Sequence, residues 1–386
     1  MTAITLRGGD GERIAVTGVG MVSSLGMDAV SACAAARAGL SRAAPIADVI
    51  AWDASEAEPV PVNGHAVRQL TQGFSGLGRL IRLAMAAWDD LDRGVPERPS
   101  RGKYGLYVAT TNGYYRAQAR GSDVNPAKRA EIVAAVEAEH QASVASALVP
   151  RLVKLRGVQK PNVSKIIIGQ QAAFVGALIE AVTDLRSGAI TEAIVGAVDS
   201  LVDPKIMGAL ARLGLLKSPD NPAGVAPGEG AAFLRLTRAS SVSRDQAPVA
   251  TVAHVSWDKE NTHRFAEESS LEQTLLKILV DAPPEAQSGV PPLIIGTLNG
   301  DPLRAMEWGT ALISLPRWAH DGEHLYPAAS FGEVGAAAAA MSAVLGVRTF
   351  ARAAGRYSSA LIWAGGDDGG RGVVWLQPAT GAGGRS

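Results

Sequence analysis

Residues 166–181 read IIIGQQAAFVGALIEA. Three β-branched residues run into a small-residue turn, and a long apolar helix with one carboxylate, Glu180, follows. A strand ending this way delivers a side chain to the tip of a buried helix, where the N-terminal dipole favours negative charge. A Cys, Ser or Thr there would suit nucleophilic chemistry. This chain offers Gln170 and Gln171, and an amide is not a nucleophile. Four other groupings could carry chemistry. TGVGMVS, residues 17–23, follows a strand and precedes a helix as a dinucleotide fingerprint does. Ser23 stands where the third glycine belongs, however, and no acidic residue closes a second strand about 20 residues on. A tight strand-to-helix turn accounts better for Gly18 and Gly20. His320 and His324 are spaced i,i+4, but Gly322 between them and Pro316 before them favour a polar loop over a metal pair. Asp301 and Glu307 could form a carboxylate pair for acid–base work. Asp301-Pro302 also reads as an N-cap followed by Pro at the first helical position, and that reading is preferred. Cys33, in VSACAAARAG, reads as a small core residue.

The elements that would position these residues alternate along the chain. It has 386 residues, 47% of them apolar, enough for two core-forming domains or one large duplicated unit. Lys plus Arg and Asp plus Glu both number 37, so a nucleic-acid footprint is not expected. A single cysteine excludes an internal disulfide framework and a Cys-based zinc site. No signal-peptide core opens the chain, and no apolar run is long enough for a membrane span. These features point to a soluble cytoplasmic globular protein. Strands are predicted at Arg13–Gly18, Tyr104–Thr110, Lys165–Ile168, Ala193–Val198, Ala231–Leu236, Val249–Val255, Leu293–Thr297, Ala360–Trp363 and Val373–Gln377. Helices are predicted at Ala29–Ala38, Leu77–Asp92, Lys128–Leu155, Ala172–Ser187, Leu271–Val280, Leu303–Ile313 and Val334–Gly346. The alternation implies an α/β fold. The helices at 172–187 and 334–346 are apolar on nearly every face and belong inside the protein, between layers. One such helix per half suggests an internal duplication. The polar stretch RASSVSRDQAP, residues 238–248, is the best domain boundary. A Pro-rich surface loop is expected at 281–292 and a frayed tail after Pro378.

Together these segments resemble the β-ketoacyl-ACP synthase family of the thiolase-like fold, in order and over nearly the whole chain. ERIAVTGVGMVSSLG resembles the family's opening strand, IIIGQQAAFVGALIEA its elbow and central helix, and LRSGAITEAIVGAVDSLVDP the stretch after that helix. GVAPGEGAAFLRL resembles its P-G-E-G-A strand, GEVGAAAAAMSAVLG its second buried helix, and ALIWAGGDDGGRGVVWL its Gly-rich final hairpin. The resemblance implies a five-layer α-β-α-β-α architecture of two duplicated halves, near 1–245 and 246–386, with a dimer-interface insertion at about 111–165. It implies no cofactor and no metal.

The same resemblance locates the family's catalytic positions. Gln171 stands at the acylated cysteine, Asn299 at the first histidine, Ala328 at the supporting lysine and Glu333 at the second histidine. Ile362 and Ala364 stand at the two-phenylalanine gate of the substrate tunnel. No catalytic position is intact. Gln for Cys occurs in loading ketosynthases, which decarboxylate malonyl-ACP and keep their histidines, and in chain-length factors, which pair with an active ketosynthase and have lost the machinery. VGAVDSLVDP is similar to a run of chain-length factors. The resemblance therefore implies a catalytically silent subunit of a polyketide or fatty-acid-like pathway, with an active ketosynthase and an acyl carrier protein as partners. Two alternatives stay open. One is a divergent decarboxylase or acyltransferase using Gln171, Asn299 and Glu333. The other is a homodimeric scaffold that binds acyl carriers.

Overall fold

Alternation decides where each strand's side chains go. Along Tyr104–Thr111, Leu106 and Val108 join one apolar cluster while Tyr107 and Ala109 join another. That is the two-residue period of a strand packed on both faces. The computed structural model describes residues 4–7, 12–93, 102–242, 247–266, 274–280, 290–353 and 355–379. Its strands are β1 (Ile4–Arg7), β2 (Ile14–Val22), β3 (Ala44–Asp53), β4 (Glu58–Gly64), β5 (Tyr104–Thr111), β6 (Val163–Gly169), β7 (Glu192–Ser200), β8 (Glu229–Arg238), β9 (Ala250–Lys259), β10 (Leu293–Gly296), β11 (Glu323–Leu325), β12 (Ala360–Gly365) and β13 (Gly370–Pro378). Its α-helices are α1 (Ala29–Arg37), α2 (Arg68–Thr71), α3 (Gly76–Asp92), α4 (Tyr114–Gly121), α5 (Pro126–His140), α6 (Leu148–Arg156), α7 (Ala173–Arg186), α8 (Pro204–Arg212), α9 (Thr274–Leu279), α10 (Pro302–Ser314), α11 (Arg317–Asp321), α12 (Ala328–Phe331) and α13 (Ala338–Phe350).

The first half of the main sheet runs β6-β5-β7-β8-β2 and the second runs β11-β10-β12-β13-β9. Numbered within each half, both orders are third, second, fourth, fifth, first. In both, the second strand is parallel to the third and fourth, and the remaining neighbours are antiparallel. The halves meet where Ile14–Val16 of β2 pairs with Ala250–Val252 of β9. Helices α7 and α13 lie between them and share one core cluster with the inward side chains of both halves. Helices α3 and α6 cover the outer face of the first half, and α9 and α10 cover that of the second. This is the expected thiolase-like five-layer α/β architecture of two duplicated halves. The expected boundary at 245/246 lies outside the described residues, as do 271–273, 281–289 and most of the tail.

Burial holds the middle layer. In α7 the large side chains Phe174, Val175, Leu178, Ile179, Val182 and Leu185 are all buried. At about 1.5–3 kcal/mol each, they contribute roughly 9–18 kcal/mol before entropy is counted. Helix propensity offers only tenths of a kcal/mol per residue.

Three sequence readings change. The helix expected over Lys128–Leu155 is broken: α5 ends at His140, a π-turn spans Gln141–Ala145, and α6 restarts at Leu148. Pro150 has no N–H to give and is tolerated only in a first turn, so the second helix must begin just before it. The β3–β4 hairpin, with Pro59 and Pro61 in its second strand, shows little strand signal and was not anticipated, nor was α4. Gly18 and Gly20 do not form a turn; both lie within β2. The reason for glycine is close approach, because a Cβ on Gly20 would sit 2.3 Å from the Ala87 carbonyl and the Leu91 nitrogen of α3.

Gly20→Ala therefore pushes α3 off β2 and should cost about 1–3 kcal/mol or more, as overpacking does. Gly208, exposed within α8, has open space around it; Gly208→Ala should be neutral or stabilise by about 0.5–1 kcal/mol. Urea denaturation of both variants tests this, and equal midpoints for the two would refute the close-packing account.

Candidate functional site

Gly169 ends β6, Ala172 caps α7, and Gln170 and Gln171 lie between them. Both glutamines are buried. Gln170 Nε2 donates to Asn112 Oδ1 at 3.0 Å, and Asn112 Nδ2 donates to Asp368 Oδ2 at 3.0 Å. The elbow is thus tied to the end of β5 and to the turn between β12 and β13. Neither atom of the Gln171 amide completes a hydrogen bond, although the amide is near enough to Glu333 to favour its charged form.

Asn299 and Glu333 meet. Asn299 Nδ2 donates to Glu333 Oε2 at 2.6 Å, and the Gly335 N–H donates to Oε1 at 2.7 Å. Burial raises the Glu333 pKa, and Asn299, Arg304, Gln171 and Gly335 oppose the rise. Gln171, Asn299 and Glu333 therefore form one constellation. Ala328 begins α12 and, with Thr297, Phe331 and Glu333, lines a pocket of about 280 Å³. Ile362 and Ala364 point from β12 into the central core and line neither this pocket nor the larger one beside it.

The larger pocket, about 400 Å³, lies among Glu260, Arg264, Arg304, Glu307, Asp367 and Arg371. Its charges pair with one another. Arg304 Nη2 donates to Asp367 Oδ1 at 2.6 Å, and the Tyr115 hydroxyl donates to Oδ2 at 3.0 Å. Arg264 pairs with Asp301, and Arg371 with Glu307 and Glu260. Three guanidinium groups against four carboxylates leave no excess positive charge to attract an anion. The Arg304 cation also acts on Glu333. It returns to this region, from α10, a positive charge that Ala328 lacks.

Asp301 is the N-cap of α10, accepting from the Leu303 N–H at 3.0 Å, with Pro302 after it. Glu307 binds Arg371 and makes no pair with Asp301. His320 lies on α11 and His324 on β11, where His324 Nε2 is 2.9 Å from the Ala319 carbonyl. Among the described residues no three His, Cys, Asp or Glu converge as a metal site. Cys33 is buried, and burial pushes its thiol up to about 12. Residues the sequence did not single out are Asn112, Arg304, Asp367 and Asp368, together with two buried acids in the quoted motifs. Glu229 of PGEGA binds Arg79 through Nε at 2.5 Å and Nη2 at 3.0 Å, and also accepts from Ser200 and Thr71. Asp199 of AVDS accepts from the Ser200 and Ala336 N–H groups at 2.8 and 2.9 Å. Gly335 is needed beside it: φ is +53°, and a Cβ would lie 2.1 Å from Asp199 Oδ2. An acidic residue next to small residues in an apolar motif was the available signal for both.

A duplicated five-layer fold with a strand–elbow–buried-helix site defines the thiolase-like ketosynthase class. The family model for the N-terminal domain of β-ketoacyl synthase matches residues 11–241, and the chain belongs to that family. Among solved structures it resembles a type II polyketide synthase acyl-carrier protein in complex with its ketosynthase bound to the hexaketide (AntDE:AntF). That match has TM-score 0.72 and 16% identity and covers 95% of this chain and 99% of the other. It also resembles the ishigamide ketosynthase/chain length factor, with TM-score 0.63, 17% identity and coverage of 95% and 99%. A third likeness is to an oxazolomycin ketosynthase domain of Streptomyces albus, with TM-score 0.68, 16% identity and coverage of 96% and 74%. No curated protein matches the chain. No helix among the described residues is long and apolar enough to cross a membrane.

Asp199 yields a pH prediction. Burial, with smaller contributions from Glu333 and Asp203, raises its pKa from 3.8 to about 7. Between those values the folded state holds a proton that the unfolded state releases. Stability from this group is therefore complete below 3.8 and is lost as pH rises through about 7, with a slope of at most about 1.4 kcal/mol per pH unit. Asp199→Asn should remove that slope, and its loss of stability relative to wild type, from one forfeited acceptor, should be greatest at low pH and shrink as Asp199 ionises. Urea midpoints from pH 4 to 8 measure it, and a variant with the wild-type pH profile would show that Asp199 does not titrate in this window.

Proposed function

We propose that the chain is a catalytically silent ketosynthase-like subunit of the chain-length-factor type, which pairs with an active ketosynthase in type II polyketide or fatty-acid-like biosynthesis. The observation that carries this reading is the buried Gln171 amide at the elbow. Condensation needs a nucleophile to hold the acyl group and preorganised donors to meet the enolate charge. Gln171 cannot form a thioester. Both oxygens of Glu333 already accept hydrogen bonds, and when ionised it opposes a developing enolate. Arg304, the nearby cation, is already paired with Asp367.

Assembly supports the same reading. Strand β6, seven residues long, is the sheet edge beside the elbow, and Ile166, Ile167 and Ile168 on it are half-buried. An unpaired apolar edge of this length invites aggregation. We infer an obligate dimer through this edge, burying more than about 2,000 Å², with an active ketosynthase as partner and an acyl carrier protein supplying the chains. The similar structures include a ketosynthase with its carrier protein and a ketosynthase/chain length factor. Pairing with itself would instead suit a carrier-binding scaffold. A monomer at micromolar concentration by light scattering would refute both forms of the dimer.

The decarboxylase or acyltransferase alternative rests on the Gln171, Asn299 and Glu333 constellation. Gln171→Ala discriminates. In the silent reading, the complex with the active ketosynthase keeps its product yield; loss of CO₂ release from malonyl-ACP would establish the decarboxylase. Gln171→Cys should place a thiol of lowered pKa at the tip of α7, which iodoacetamide can alkylate. It should form no β-ketoacyl product from acyl- and malonyl-ACP, because each missing enolate donor costs a factor of about 10²–10³. Product above the wild-type background would mean that Asn299 and Glu333 form a working site.

A further inference from the structure

The β3–β4 hairpin is a two-stranded sheet with unlike faces. Its inner face, with Ile46, Val49, Ala51 and Val62, packs on the cluster that includes α4 and α8. Its outer face carries Ile50 and Trp52, 70% and 58% exposed. Opposite them in register stand Pro61 and Pro59, both exposed. Four apolar side chains thus form a bare ridge of two cross-strand pairs. Contiguous exposed apolar surface of this kind marks an interaction site.

The ridge presents its face to a partner. Proline tolerates a strand only where its missing N–H faces away from the ladder, so Pro59 and Pro61 make the free edge of β4 a poor template for strand addition. Charge separates along the same hairpin. Asp53, Glu56 and Glu58 lie at its tip, where Asp220 accepts from the Ala54 N–H at 3.1 Å. Arg42 precedes β3 at the base, and the exposed Arg68 reaches the Pro45 carbonyl there. A surface that is acidic at one end, basic at the other and apolar between is complementary to itself turned by a two-fold rotation.

We propose that the outer face of the β3–β4 hairpin binds the same face of a second copy of this chain. Ile50 and Trp52 of each copy pack on Pro59 and Pro61 of the other, and each acidic tip lies against the other copy's Arg42 and Arg68. This contact is separate from the β6 edge and, resting on the heterodimer of the proposed function, joins two units that each carry one such face into one assembly of twice the mass.

Sedimentation velocity of the full chain co-purified with a ketosynthase tests the contact, because each such unit carries one hairpin face and can only double. The wild type should show a concentration-dependent doubling of mass. The double variant Ile50→Ser, Trp52→Ser should stay at half the mass while keeping the β6-linked unit. Because those side chains are exposed, its thermal melt should match wild type. Glu56→Lys with Glu58→Lys leaves the ridge apolar and should also halve the mass, and adding Arg42→Glu with Arg68→Glu should restore it. A wild type that never doubles, or a serine variant that doubles as before, overturns the contact. Halving by serine without rescue by the charge swap overturns the second copy as occupant and points to a different protein on the ridge.

Discussion

Two largely apolar, buried helices fix the architecture. An amphipathic helix can lie on a surface, whereas α7 and α13 bury apolar side chains around most of their circumference, and the one polar strip of α7, Glu180, Thr183 and Asp184, meets Lys165 of β6. Each must be covered on opposite sides, and a layer between the two halves of the sheet provides that. The small residues of α13 let it pack closely against its neighbours. Once the pair is buried, the remaining order follows. Inward strand positions join the middle core, outward positions need a second cover, and the outer helices supply it. The same strand order in both halves shows one solution used twice.

Placing α7 inside also creates the elbow. The strand must stop where the helix begins, so its last residues are delivered to the interior beside the N-terminus of α7 and the approach to α13. In this chain that interior is unusually rich in charge for an apolar-looking sequence. Glu333, Asp199, Glu229 and Arg304 are all buried, and each is tied to backbone N–H groups or to an opposite charge. Removing one partner of such a pair costs more than the pair contributes, because the other charge is left uncompensated. The network around the elbow is therefore a structural constraint, and Gln171 sits within it as a neutral group.

The two sheet edges differ in the same spirit. Strand β11 is three residues long and carries Glu323 and His324, which leaves little ladder for another chain. Strand β6 is seven residues long and carries three consecutive isoleucines. Of these two edges among the described residues, β6 has the length and composition of a pairing surface.

The sequence by itself determined an α/β alternation with two helices buried between layers, and the family resemblance implied the five-layer order. Strand alternation and the two helices expected at 172–187 and 334–346, apolar on nearly every face, are local patterns, and burial between layers is their outcome. It also determined that the elbow holds an amide, since residue identity needs no coordinates, and that Asp301-Pro302 starts a helix. The restart of the helix just before Pro150 was legible in principle, because proline's missing N–H is a local fact. What only the tertiary structure decided were contacts between residues far apart in the chain. Asn299 against Glu333, Asn112 between Gln170 and Asp368, and Arg304 beside the elbow each depend on how separate elements converge. The glycines of β2 belong here too: their spacing imitates a loop motif, and only the approach of α3 shows that they make room for a helix. Local patterns fix which faces are buried, because burial depends on period and polarity. Charges that neutralise each other across the interior are chosen by three-dimensional proximity, which no one-dimensional spacing encodes.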